Sequence, residues 1–162
     1  MTPITVALSV LGLAPFVVFG LGALGSDTGT AVRMLGALVD YAALVLAFVG
    51  GLHWGLALAV PVGSRSIDGT EDMAGPDWKR FTFGAAGLII GWIALILQLM
   101  LAPWVALLVL IAGYIAAIVV EHHRRVWLPP RWLWLRWGFT AVAVAMLTTV
   151  LTLRLLGQTV VF

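Results

Sequence analysis

Residues 31–60 read AVRMLGALVDYAALVLAFVGGLHWGLALAV, an almost unbroken apolar run. About 20 residues of helix cross the hydrocarbon core of a bilayer. This run is longer than that, so its helix must tilt or protrude. It carries only three ionisable groups, Arg33, Asp40 and His53, and its glycines crowd around the last of them. The run therefore sets the class of fold and poses a question about chemistry at the same time.

Composition extends the reading to the whole chain. Of 162 residues, 62% are hydrophobic and only 10% charged, and mean hydropathy is +1.11. A soluble domain carries about 25% charged residues. This chain could not cover itself with polar side chains in water, so its natural solvent is lipid. It has no cysteine, which excludes disulfides and thiolate metal sites. A net charge of +2 gives no footprint for nucleic acid.

Four more apolar runs are long enough to cross a bilayer. The expected spans lie near 4–24, 31–60, 81–101, 104–120 and 137–156, each end good to about two to four residues. The chain reads as one all-α domain over 1–162, a bundle of five transmembrane helices. Pro15 falls inside the first span, where it removes a backbone donor and is expected to kink the helix. That span has no Lys or Arg before it, so it reads as a retained helix and not a signal peptide. The stretch 61–80, with Arg65, Asp68, Glu71, Asp72, Asp77 and Lys79 between Gly and Pro, reads as an aqueous loop. No internal repeat is visible.

Five spans put Arg65, Lys79, Arg80, Arg124, Arg125, Arg131 and Arg136 on one side and only Arg33 and Arg154 on the other. The positive-inside rule then places the N-terminus in the cytoplasm, or its organellar equivalent, and the C-terminus outside.

The glycines suggest helix packing. On a wheel of 100° per residue, Gly36, Ala37, Asp40, Ala43, Ala47, Gly51 and Gly55 share one stripe of the second span. Gly84, Gly87, Gly91 and Gln98 share one stripe of the third. In lipid, small residues let helix backbones approach closely. The expected contact pairs Gly51 with Gly91 and Gly55 with Gly87. His53 falls on the opposite face, so the second span should have protein on both sides and sit at the centre of the bundle.

An ionisable side chain in a span is a candidate functional group. For His53, the structural reading is a buried ring hydrogen-bonded within the protein, with Arg136 or the start of the fifth span as its first candidate partner. The functional reading, with Trp54 beside it, is a quinone or haem site, with His122 or His123 as a second haem ligand. For Asp40, the structural reading is a buried or interfacial pair that locks helices together, with Arg33 on its own span or Gln98 or Arg154 on others; the functional one is transport of a proton or ion. Glu121 opens a Glu-His-His-Arg-Arg cluster that reads as a solvated helix end. Trp127 to Trp137, including Trp132, Trp134 and Arg136, is a basic aromatic run suited to the headgroup level. It reads as an interfacial anchor or a platform for a partner. No nucleophile–base set, phosphate loop or metal cluster is visible.

Several motifs taken together resemble one family. They are Leu11-Gly12-Leu13-Ala14-Pro15-Phe16, Tyr41, Phe48-Val49-Gly50-Gly51-Leu52-His53-Trp54-Gly55, and Leu128-Pro129 followed by Trp132, Leu135, Arg136 and Thr140. The chain resembles the domain of unknown function 3429 family, to which the mitochondrial transmembrane protein 69 belongs. It departs from that pattern at Trp134, where Tyr often stands, and at Glu121, where Asp is expected. The resemblance implies a small multi-span protein of bacterial inner membranes or, in eukaryotes, of the mitochondrial inner membrane. It implies no activity. The expectation is a non-catalytic accessory or assembly subunit of a larger membrane complex, possessing no cofactor and contacting lipid and a membrane protein.

Overall fold

The computed structural model describes residues 3–59, 78–123 and 130–160. All of its regular elements are helices: α1 (Pro3–Gly25), α2 (Thr28–Ala59), α3 (Trp78–Met100), α4 (Pro103–His123) and α5 (Pro130–Val160). Three of them begin on proline, whose missing N–H is harmless in a first turn and whose fixed φ suits it. The turn Ser26-Asp27 starts α2: the Asp27 carboxylate accepts from Thr30 N–H at 3.1 Å and its carbonyl from Ala31 N–H at 2.8 Å.

Four helices, α2 to α5, are long and apolar enough to cross a membrane; in α1 the apolar stretch Ser9–Gly25 is shorter. The chain is thus a multi-pass membrane protein by the character of its helices. Four exposed tryptophans stand towards helix ends, Trp54, Trp78 and Trp134 at one end of the bundle and Trp104 at the other, while Trp92 is exposed within α3. The four towards the ends suit two membrane–water interfaces.

The helix α2 is central. It packs on α1, α3 and α4, while α5 closes the far side against α1 and α4. At mid-height the core is aromatic. The Phe16 ring meets Tyr41 at 5.1 Å and lies edge-on to Tyr114 and Phe139. Both tyrosine hydroxyls donate to backbone, Tyr41 to the Gly12 carbonyl at 2.7 Å and Tyr114 to that of Ala42 at 2.9 Å. Pro15 leaves the Leu11 carbonyl without its i+4 donor, and the Tyr41 bond is made to the next carbonyl, that of Gly12.

The α2–α3 contact is glycine-mediated: Gly87 and Gly91 of α3 and Asp40 and Ala43 of the stripe read on α2 are in it, but Gly51 and Gly55 are not. A Cβ on Gly87 would press on the Leu46 carbonyl, and one on Gly91 on that of Ala43. A Cβ on Gly50 would overlap the Gly84 carbonyl, and one on Gly84 the Trp54 ring. At Gly51 and Gly55 a Cβ would meet nothing within 4 Å. Gly91 therefore sits over Ala43 and not Gly51, and Gly87 over Leu46 and Gly50 and not Gly55. The face is turned by one residue because α2 must also bring His53 inward. The level differs because α2 overhangs the start of α3.

The start of α5 also differs from expectation. Helix begins at Pro130, so Trp134 and Arg136 belong to α5 itself and not to an anchor before it. The expected loop between α2 and α3 falls mostly at 60–77, and Arg124 to Pro129 precede α5; both lie outside the described residues, as does the side chain of Trp132.

Candidate functional site

The end of the bundle that joins α2 to α3 and α4 to α5 holds a buried polar cluster. His53 is fully buried and Glu121 is 1% exposed. His53 Nε2 lies 2.9 Å from Glu121 Oε1. Arg136 Nε donates to both Glu121 oxygens at 2.6 Å. A carboxylate facing a guanidinium only accepts, so His53 Nε2 carries the proton of its bond. The Glu121 carboxylate thus joins three helices: α4 carries it, α2 and α5 grip it. The edge of the His53 ring meets Phe83 of α3, 4.6 Å between centroids. Below Arg136, the buried Thr140 hydroxyl donates to the Arg136 carbonyl at 3.0 Å.

Burial explains why three such groups stand together. An isolated charge in an apolar medium is very costly, whereas a pair with its hydrogen bonds filled is tolerated. Glu121 is placed by its register on α4. Leu110, Tyr114, Ala117 and Glu121 form one buried stripe at helical spacing. That spacing was readable, but the charged residues after Glu121 made it look like a solvated end. The direct partner of His53 is this carboxylate, and Arg136, the candidate drawn from sequence, lies on its other side.

Trp54 faces different neighbours from His53. Its Nε1–H donates to the Phe81 carbonyl at 2.8 Å, and its ring covers Gly84. His122 lies on the exposed end of α4 against Trp137, 5.3 Å between centroids. The His53 and Trp54 side chains therefore do not converge on one ligand position. Among the described residues, no group of three or more His, Cys, Asp or Glu could hold a metal ion.

The other intramembrane polar residues lie towards the opposite end. Gln98 Nε2–H donates to Asp40 Oδ1 at 3.1 Å. Arg154 donates to the Ala23 carbonyl at 2.7 Å, and so serves the last turn of α1 and not Asp40. Arg33 donates to Thr30 within its own helix. Asp40 is exposed on the outside of the bundle, and the Oε1 atom of Gln98 is buried without a hydrogen-bond partner among the described residues.

A cavity of about 430 Å³ opens between α1, α2 and α5. Gly12, Tyr41, Val45, Leu52, Phe139 and Arg136 are among its walls. Arg136 is thus shared: its Nε is on Glu121, and the residue also lines the cavity. Sequence reading missed this cavity because its wall is assembled from three segments far apart in the chain.

The architecture defines a multi-pass helical membrane protein whose helices are tied at one end by a buried carboxylate between an imidazole and a guanidinium. The chain belongs to the family described as protein of unknown function (DUF3429), which it matches over residues 1–152. Some of the motif residues that carried the resemblance come together in this one place: Gly12, Tyr41, Leu52, Leu135 and Arg136 on the cavity and His53, Arg136 and Thr140 in or beside the cluster; Gly51, Trp54 and Gly55 do not. No curated protein and no solved structure matches the chain.

Proposed function

We propose that the protein is a non-catalytic accessory or assembly subunit of a larger membrane complex. The observation that carries this reading is the Asp40–Gln98 pair. It stands on the outer surface of α2 and α3, beside exposed Leu44, Leu99 and Met100. A carboxylate and an amide on an otherwise apolar helix face are poorly served by lipid. They are well served by a neighbouring helix, since polar side chains hydrogen-bond across helix contacts in membranes. The exposed Asp40 carboxylate still has acceptor capacity for such a helix.

The buried cluster supports the same reading. Its carboxylate is saturated by two partners, and its imidazole is enclosed, as befits groups that hold a scaffold. In this proposal all five helices cross the membrane. The N-terminus and the basic end of the bundle face the cytoplasm or matrix. The membrane is a bacterial inner membrane, or the mitochondrial inner membrane for a eukaryotic chain.

The test is purification from native membranes in mild detergent, wild type beside Asp40→Leu/Gln98→Leu. A stoichiometric membrane partner retained by wild type and lost from the double variant is the expected result. A monodisperse chain without protein partner in both preparations sinks the proposal.

A further inference from the structure

The cavity between α1, α2 and α5 carries an inference that goes beyond a scaffold. We infer that it binds one acyl chain of an anionic phospholipid, with the phosphate held by the free edge of Arg136. Three observations lead there.

The first is size and shape. A volume of about 430 Å³ lies in the range of pockets that enclose small ligands. On α2 the wall runs from Leu52 to Tyr41, about 16 Å along the axis at the helical rise. Half of a bilayer's hydrocarbon core is about 15 Å. The cavity is therefore one leaflet deep, the depth of an acyl chain.

The second is chemistry. Val45, Leu52 and Phe139 make an apolar wall, and the Tyr41 hydroxyl is turned to the Gly12 carbonyl. Arg136 brings the charge. Both of its bonds to Glu121 are made by Nε. No other hydrogen bond of its side chain is found among the described residues, so Nη1 and Nη2 can take a further acceptor. A guanidinium matches a phosphate with two parallel donors.

The third is position. Arg136 lies about 9 Å along α5 from Pro130, within reach of the headgroup level for a side chain that extends towards water. Lys79 and Arg80 open α3 at the same end, and Arg80 reaches the Leu56 carbonyl at the end of α2. Basic side chains clustered at the headgroup level favour anionic lipid. A phospholipid offers a phosphate at this height and a chain pointing down the cavity; a free fatty acid or a neutral quinone offers only part of that match.

The experiment uses the full chain, delipidated in detergent and titrated with dioleoylphosphatidylglycerol, dioleoylphosphatidylcholine, oleate or decylubiquinone. Native mass spectrometry reads bound adducts, and the thermal midpoint reads their effect. The expected result is one phosphatidylglycerol per chain with a raised midpoint, and weaker binding of the other three. Arg136→Lys keeps a cation on Glu121 but has no second donor edge. Val45→Phe fills the cavity without touching the cluster. Each should weaken phosphatidylglycerol about tenfold or more, the loss of roughly one charge-assisted hydrogen bond or of the chain's seat. Binding of phosphatidylcholine equal to phosphatidylglycerol, preference for oleate or decylubiquinone, or unchanged phosphatidylglycerol binding in both variants would overturn the assignment. The headgroup series needs no substitution, so it decides the matter even where a variant does not fold.

Discussion

Glu121 and His53 are 68 positions apart in sequence and meet at 2.9 Å in the buried end of the bundle. Arg136 grips the same carboxylate from the other side. Removing one member of a buried ionic set strands the others, which typically costs about 3–5 kcal/mol. Glu121→Ala should therefore lower the thermal midpoint in detergent steeply, and Glu121→Gln by less, since an amide oxygen still accepts from His53 and Arg136. Equal midpoints for Glu121→Ala and wild type would remove the cluster from the account of stability.

His53 acts here through one donor. Gln offers an N–H of similar reach, so His53→Gln should stay near wild type in expression and midpoint. His53→Ala leaves Glu121 Oε1 with Arg136 as its one remaining donor and opens a void beside Phe83, and His53→Leu fills the void but does not restore the lost bond. Each should cost about 1–3 kcal/mol for the lost hydrogen bond to a charged group. Gln as unstable as Ala would mean that the ring itself matters. A Soret band in purified wild type, lost in all three variants, would favour a haem site instead.

Hydropathy made the all-helical membrane bundle legible, because lipid leaves a chain few other choices. The central place of α2 was expected too, but for a reason the structure does not keep: Gly51 and Gly55, opposite His53, meet open space, and α3 packs on the histidine's own side through Leu46 and Gly50. The face and the level of the α2–α3 contact were not legible. Gly50, Gly51 and Gly55 are equally small, and only the inward demand of His53 turns Gly50 towards α3. Glu121 was misread because its neighbours in sequence are charged and exposed, while its neighbours at helical spacing, Tyr114 and Ala117, are buried. The cavity was not legible at all. It depends on how α1, α2 and α5 diverge, which no single segment encodes.

Glycine substitutions separate the two faces of α2. Gly50→Ala puts a methyl against the Gly84 carbonyl, and Gly84→Ala puts one against the Trp54 ring. Overpacking of a close contact typically costs about 1–3 kcal/mol. Gly51→Ala and Gly55→Ala meet open space and should be neutral, or stabilising through the lower backbone entropy of alanine. Thermal midpoints of the four variants check this. A loss at Gly51 equal to that at Gly50 would return the contact to the stripe read from the sequence.

Asp27 gives a pH dependence outside the spans. Hydrogen bonds from Thr30, from its side-chain hydroxyl first and then from its backbone N–H, hold the Asp27 carboxyl below the ordinary carboxylate value. A carboxyl lowered in the folded state contributes stability that is fully present above its unfolded value of about 3.9 and is lost as pH falls through the folded value. Asp27→Asn keeps an acceptor for the first turn of α2 but cannot titrate. The stability difference between wild type and Asp27→Asn should therefore be constant near neutrality and shrink below about pH 4. A difference that grows on acidification would contradict the capping role.

The orientation of the bundle rests on where its cations lie. Lys79, Arg80 and Arg136 stand at the end that joins α2 to α3, and the sequence adds Arg65, Arg124, Arg125 and Arg131 to the same side. Arg33 and Arg154 belong to the other end, where Arg154 is engaged with the last turn of α1. Short loops rich in Lys and Arg are retained on the cytoplasmic side during insertion. Three reporter fusions, before Met1, at Gly69 and after Phe162, separate the parts of this statement. The expected outcome is a cytoplasmic signal for the first two and an outer-side signal for the third. Gly69 and Phe162 on one side would break the crossing order of α3 to α5. Met1 opposite Gly69 would mean that α1 does not cross. All three signals reversed would mean that the basic end faces outward, and that the positive-inside rule does not govern this chain.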